Sequence, residues 1–170
     1  MSMTPTELRA LIDARAASEP AFAALVEARQ AGDVAQDRAI AEALSASRWR
    51  LRPRLTTSRG IYAALGLADG AVVMAVLRAL AAGQVPGTGQ PLPQEHPLAG
   101  YVPVFADLVP WLEPPCDGLD FGAADLQGVI AVLAAAGLFT ATQRDKLLAL
   151  GREPDPIGYD AVSAALSEGA

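Results

Sequence analysis

Apolar residues return at three- and four-residue intervals along most of this 170-residue chain, and run after run is bounded by a capping residue or a glycine. That spacing lines one side of a helix, and a chain punctuated this way has little freedom to become anything but a set of packed helices. Thr4-Pro5-Thr6-Glu7 is a capping box with proline in the first turn, and it predicts a helix from about Pro5 to Ala17. A second helix fits "EPAFAALVEARQAG", with Ser18 as its cap and Gly32 as its stop. A third fits "DVAQDRAIAEALSA", capped by Asp33 with Gln36 three residues on. "SRGIYAAL", entered from Thr56 or Thr57 and closed by Gly66, and "ADGAVVMAVLRALAAG" read as core helices.

Between Gln84 and Pro115 lie eight of the thirteen prolines, and "GQVPGTGQPLPQEHP" has the breaker density of an exposed loop. Within that region Leu98, Val102, Phe105, Leu108 and Leu112 keep helical spacing, with Pro103 at a start or kink and Pro110 near the end. "DFGAADLQGVIAVLAAAG" is apolar nearly all round and is expected to be the central buried helix. It is joined by "GLFTAT" to "TATQRDKLLALG", capped by Thr140 with Gln143, so the two should form a hairpin. A last helix is expected from about Tyr159 to Leu166.

Hydrophobic residues make up 52% of the chain but aromatics only 5%, so the core must be built from Ala, Leu and Val on closely approaching helices. A chain of this length buries roughly 70% of its unfolded surface, enough for a real core. The longest apolar run, Val129 to Phe139, is too short to span a bilayer, and the amino terminus lacks the pattern of a secretory signal. No membrane partner is expected. The expected fold is all-α: a compact multi-helix bundle with one extended Arg-rich segment and a proline-rich loop. It divides into N-terminal helices over 1–46, the basic segment over 47–56, core helices over 57–83, the loop over 84–97 and a helical part over 98–170, together one domain.

One stretch breaks the helical rhythm. In "SRWRLRPRLTTSRG", Arg48, Arg50, Arg52 and Arg54 alternate with Trp49, Leu51, Pro53 and Leu55. A period of two belongs to an extended strand and sends the guanidinium groups to one face and the apolar groups to the other. Pro53 cannot donate to a ladder, which makes this an edge strand or an arm, with no obvious partner strand elsewhere. With Arg59, the stretch holds five of the thirteen basic residues of a chain whose net charge is −6; without them the balance is eight basic against nineteen acidic, or −11. Such a strip either docks on phosphates or an acidic protein surface, or is a solvated edge whose like charges discourage pairing. The repulsion among four like charges on one face favours docking. The acidic remainder and the single ring, Trp49, favour a protein partner over nucleic acid.

Catalysis has little to stand on. His96 is the only histidine and lies in the proline-rich loop, and Cys116, the only cysteine, has Asp117 beside it in place of a basic neighbour that would activate it. The carboxylate pairs Asp117 with Asp120 and Asp155 with Asp160 lack the ligand density of a calcium loop, and Asp120 reads as a helix cap. No phosphate loop, dinucleotide fingerprint, nucleophile elbow or HExxH motif is present. No catalytic residue, metal ligand or cofactor is expected, and the chain is not read as an enzyme.

Two stretches carry a resemblance: "AIAEALSASRWRLRPRLTTSRGIYAALG", Ala39 to Gly66, and "GLDFGAADLQGVIAVLAAAGLFTATQRDKLLALGREPDPIGYDAVSAAL", Gly118 to Leu166. An Arg-containing extended segment between helices, followed later by an "LD-G" turn, a "GLFT" helix link and a "PDP" turn before the last helix, resembles small helical proteins encoded among the virion genes of tailed bacteriophages and prophages. The resemblance implies a virion-associated structural or adaptor protein, a head or tail accessory assembled in the host cytoplasm. It implies contacts with other virion proteins, and the basic strip on an otherwise acidic chain can also bind copies of the chain head to tail, a contact that builds rings. Arg48, Trp49, Arg50, Arg52, Arg54 and Arg59 are the expected partner-binding residues. The alternative is a nucleic-acid-associated or regulatory phage protein contacting phosphate through the same strip.

Overall fold

The order of elements in the computed structural model, which describes residues 3–46 and 48–167, is α1 (Pro5–Ser18), α2 (Pro20–Gln30), α3 (Gln36–Ser45), β1 (Trp49–Leu51), β2 (Leu55–Thr56), α4 (Ser58–Leu65), α5 (Leu67–Ala81), α6 (Val102–Leu108), β3 (Leu119–Asp120), α7 (Ala124–Ala135), α8 (Ala141–Leu150), β4 (Arg152–Pro154) and α9 (Tyr159–Ser167). The chain is mostly helical. The expected helical character holds, and among the described residues two small two-stranded sheets accompany it, β1 with β4 and β2 with β3. Both partners of the arginine segment were invisible as strands because they are only two and three residues long, too short to show a period. No helix among the described residues is long and apolar enough to cross a membrane.

The chain forms two compact units, one of Met1–Arg50 with Pro154–Ala170 and one of Leu51–Glu153. In the first, α1 packs on α2 and α9, and α3 packs on α2 and α9, so four helices close around one core. Leu8 and Ile12 from α1, Phe22 and Val26 from α2, Ile40 and Leu44 from α3, and Val162 and Leu166 from α9 fill it. The expected capping box is present: Glu7 donates its amide to Thr4 Oγ1 at 3.3 Å, and the Thr4 amide donates to Glu7 Oε2 at 2.8 Å. Those bonds hold the Glu7 carboxyl below its ordinary pKa.

Ser18 does not cap α2. It continues α1 and turns its hydroxyl back to the Arg15 carbonyl at 3.1 Å, and the break falls at Glu19, extended because a residue before proline avoids the helical region. Asp33 likewise stands one turn ahead of α3, accepting from the Ala35 amide at 3.1 Å and the Gln36 side chain at 2.7 Å. Two arginines tie this alanine-rich unit across its helices. Arg29 donates from Nε to the buried Asp37 carboxylate at 2.5 Å, joining α2 to α3. Arg15 donates to the Ala43 carbonyl at 2.6 Å and lies 5.0 Å from the Phe22 ring centroid, joining α1 to α3 and α2.

In the second unit α4 packs on α5 and α8, α5 on α6, and α7 on α8 as the expected hairpin. Thr140 and Gln143 form the expected capping box, and the buried Gln143 side chain also donates to Asp69 at 3.1 Å. Ile61, Met74, Leu80, Phe105, Leu133 and Leu147 lie at the centre. Proline placement follows the backbone: Pro103 falls in the first turn of α6, and Pro110 in the 3₁₀ turn Val109–Leu112 that follows it. The proline-rich loop folds back on itself, with Val85 donating to the Gln90 carbonyl at 2.8 Å and Leu92 to that of Gly83 at 2.7 Å.

The expectation that α7 is buried all round is overturned. Gln127, Ile130 and Leu133 are buried, whereas Ala124, Gly128, Ala131, Val132 and Ala135 face solvent. Small side chains lose little transfer energy when exposed, so an apolar pattern built from Ala and Gly does not force burial. The one polar member of the inner face is bonded throughout: Gln127 Nε2 donates to the Phe121 and Leu148 carbonyls at 2.7 and 3.1 Å, and its Oε1 accepts from Arg152 at 3.1 Å.

Removing one partner of a buried ion pair leaves the other charge uncompensated. Asp37→Ala is therefore expected to lower the stability of the first unit by about 3 kcal/mol, read as a drop in the urea midpoint.

Candidate partner-binding surface

A polypeptide can lie against another backbone only where side chains are missing between them. Three glycines of the second unit supply that clearance. A Cβ at Gly118 would stand 2.5 Å from the Thr56 carbonyl carbon, one at Gly122 would stand 1.9 Å from the Arg52 carbonyl oxygen, and one at Gly151 would stand 1.8 Å from the Phe121 carbonyl oxygen. Gly118 also has a φ of +105°, which side chains disfavour. Through this gap the main chain of the stretch 52–56 is bonded to its neighbours. Arg52 donates its amide to the Gly151 carbonyl at 2.9 Å, Phe121 donates to the Arg54 carbonyl at 3.0 Å, and Leu55 and Thr56 pair antiparallel with Asp120 and Leu119.

Asp120 fixes the register. Its Oδ1 accepts from the Arg54 amide at 2.7 Å and the Gly122 amide at 2.9 Å. The expected role of Asp120 as a helix cap is thus corrected: α7 begins after Ala123, with no side-chain cap, and the carboxylate clamps the arginine segment instead. Sequence reading missed Asp120, Gly122 and Gly151 in this role. The only signal was the "LDFG" turn itself, and nothing local says which backbone it will meet.

With the main chain bonded inward, the side chains of residues 52–55 are left outside, while Thr56 is buried. Arg52 and Arg54 are exposed, as are Leu51 at 45% and Leu55 at 60%. The extended segment is interrupted at residues 52–54 between β1 and β2, and its apolar side chains Trp49, Leu51 and Leu55 are exposed. Arg52 reaches Glu153 Oε2 at 3.1 Å. Arg54 and Leu55 border a groove of about 450 Å³ floored by Gly60, Ala63 and Ala64 of α4, with Asp117 and Leu150 also on its walls. Arg59, in the first turn of α4, is exposed and stands four residues before Ala63, on the same side of the helix.

In the first unit, Arg48 donates from Nη2 to Asp155 Oδ2 at 2.6 Å, and the Asp155 amide donates to the Arg48 carbonyl at 3.2 Å. The Arg48 hydrogen bond, with the fields of Arg48 and Arg50, holds the Asp155 carboxyl below its ordinary pKa. Arg48, Arg50 and Asp155 border a cleft of about 300 Å³ with Met3, Leu8 and Ile157. Trp49 is 54% exposed. Ser47, the first residue of the expected segment, lies outside the described residues.

The other candidates are scattered. His96 is half-buried, and its Nδ1 accepts from the Leu98 amide at 3.2 Å. Cys116 is half-buried, and Asp117 stands on the groove wall. Among the described residues no three of His, Cys, Asp and Glu gather where one metal ion could be held.

Gly122→Ala forces a methyl into the Arg52 carbonyl and should lower stability by about 3 kcal/mol, whereas Gly128→Ala, whose Cβ meets open space on a helix, should raise it by about 1 kcal/mol. Thermal unfolding of the two variants reads both signs. The Arg48–Asp155 pair gives a pH dependence. Because the folded carboxyl titrates below its ordinary value of 3.8, its stabilisation is complete well above that value and is lost as pH falls through the folded pKa. The stability difference between the natural protein and Arg48→Gln should therefore be present at pH 7 and shrink on acidification, as followed by urea unfolding.

Compared with models of protein families, with curated proteins and with solved structures, the chain matches none.

Proposed function

We propose that this protein is a non-catalytic structural or adaptor component of a tailed-phage particle, acting through protein–protein contacts made by the arginine segment. The observation that carries the reading is the company the arginines keep. In the second unit, exposed Leu51 and Leu55 alternate with exposed Arg52 and Arg54 on a main chain already pinned by its own hydrogen bonds. Apolar anchors beside guanidinium groups on a rigid support are what protein interfaces select, because the apolar groups gain from losing water and arginine pairs with carboxylates in a fixed geometry. In the first unit the exposed Trp49 beside Arg50 has the same character.

A carboxylate-bearing partner fits the segment better than phosphate. Arg48 and Arg52 already engage Asp155 and Glu153 of their own chain, and a net charge of −6 opposes approach to nucleic acid. The partners of this reading are other virion proteins and further copies of the chain, and its location is the virion, after assembly in the host cytoplasm.

The test is particle incorporation. Arg52→Glu, Arg54→Glu and Arg59→Glu together should leave a folded protein by circular dichroism that mass spectrometry no longer finds in purified particles. Normal incorporation would overturn the reading. Retention of the natural protein on immobilised DNA, declining steeply with salt, would replace it with the phosphate-binding alternative.

A further inference from the structure

One surface of the second unit complements the groove beside Arg54. On α6 and the 3₁₀ turn after it, Val104, Asp107 and Trp111 are exposed, at intervals of three and four residues, with Val104 at 41% and Trp111 at 55%. This is an aromatic projection with an acidic neighbour. The groove is its counterpart in shape and charge: a floor of Gly60, Ala63 and Ala64, whose small side chains leave about 450 Å³ open, and walls with the exposed Leu55, the cation Arg54 and one carboxylate, Asp117. Arg59, exposed four residues before Ala63 on α4, adds a second cation, so the positive charges outnumber the one negative.

We infer that the protein assembles head to tail, the Trp111 projection of one copy entering the Arg54–Ala64 groove of the next. The inference rests on the proposed role as a particle component and names one of its partners as a second copy. An aromatic side chain buries roughly 150–250 Å² in full, and Trp111, 55% exposed, has about half of that left to bury in a groove floored by small residues. Asp107 sets the orientation by facing Arg54 and Arg59, so the pairing is selective as well as apolar. Because projection and groove are different surfaces of the same chain, the contact is heterologous. Each copy added presents a fresh groove or projection, and the series either closes as a ring or continues as a filament. The charged pair makes the contact weaken with salt.

The experiment uses the full chain in sedimentation velocity. The natural protein should form species larger than a dimer as concentration rises to about 0.1 mM, in the range where moderate contacts populate, and should shift toward monomer in high salt. Trp111→Ala removes the projection and Arg54→Glu with Arg59→Glu disables the groove, so each variant alone should associate at least tenfold more weakly. All three positions are exposed, and circular dichroism is the check that each variant is folded. Mixed, the two variants retain one good projection and one good groove between them, and should form a 1:1 dimer that grows no further. Asp107→Arg combined in one chain with Arg54→Glu and Arg59→Glu should restore growth by reversing the charges on both sides.

A natural protein monomeric at 0.1 mM would overturn the inference, as would association indifferent to Trp111→Ala or a mixture of defective variants that stays monomeric. The reading of the arginine segment as a virion contact fails separately, through unchanged particle incorporation. A monomer whose incorporation still depends on the segment would assign the groove to a different virion protein.

Discussion

Backbone packed on backbone at Gly118, Gly122 and Gly151 decides what the rest of the second unit can do. The stretch 52–56 is held there by main-chain bonds to the 118–122 turn and to Gly151, with Asp120 accepting two amides at the crossing. Buried Gln127 bonds the same turn to the end of α8 from beneath. Main-chain bonds thus place the stretch whatever its outward side chains are, while Arg48 and Arg52 add ion pairs to Asp155 and Glu153. The exposed Arg54, Leu51 and Leu55 are presented on a fixed support, which limits the entropy lost on binding.

The first unit solves a different problem. Its alanine-rich helices bring few large side chains, with Phe22 the one aromatic residue in the buried core. Polar ties supplement the apolar contacts: the Arg29–Asp37 pair between α2 and α3, and Arg15, which serves the Ala43 carbonyl and the Phe22 face at once. Ser45 continues the pattern, accepting the Ile157 amide at 2.9 Å ahead of α9. Such bonds add modest net stability but specify which helix faces meet, where alanine surfaces alone would pack almost equally well in several registers.

What could be read in the sequence was local. The capping boxes at Thr4 and Thr140 involve partners three residues apart, and both are present. The short strands β1 and β2 in the arginine segment followed from its period of two, but the period did not say which side chains would be exposed, since Leu51 and Leu55 face solvent as well as Arg52 and Arg54. Four features were hidden because they depend on residues far apart in the chain or on side-chain size. The partners of Arg48 and Arg52 lie 107 and 101 residues away. Asp120 looked like a cap because a carboxylate shortly before a helix usually is one, and only the arrival of Arg54 gives it another donor. The exposure of α7 was masked by counting alanine as apolar. The groove floor of Gly60, Ala63 and Ala64 has no motif, since small residues declare space only once their neighbours are placed.

The division of the chain also sets an order in time. The second unit is one unbroken stretch, Leu51–Glu153, whereas the first is split between Met1–Arg50 and Pro154–Ala170. On a ribosome, α1, α2 and α3 emerge ahead of the second unit and must wait through more than a hundred residues of synthesis before α9 supplies the fourth wall of their core. During that interval the faces that α9 will cover, around Leu8, Ile12 and Leu44, are open to solvent, while the inserted unit already has every strand and helix it needs. Helices α1 to α3 are made before the inserted unit, and their core is completed only after it, when α9 follows.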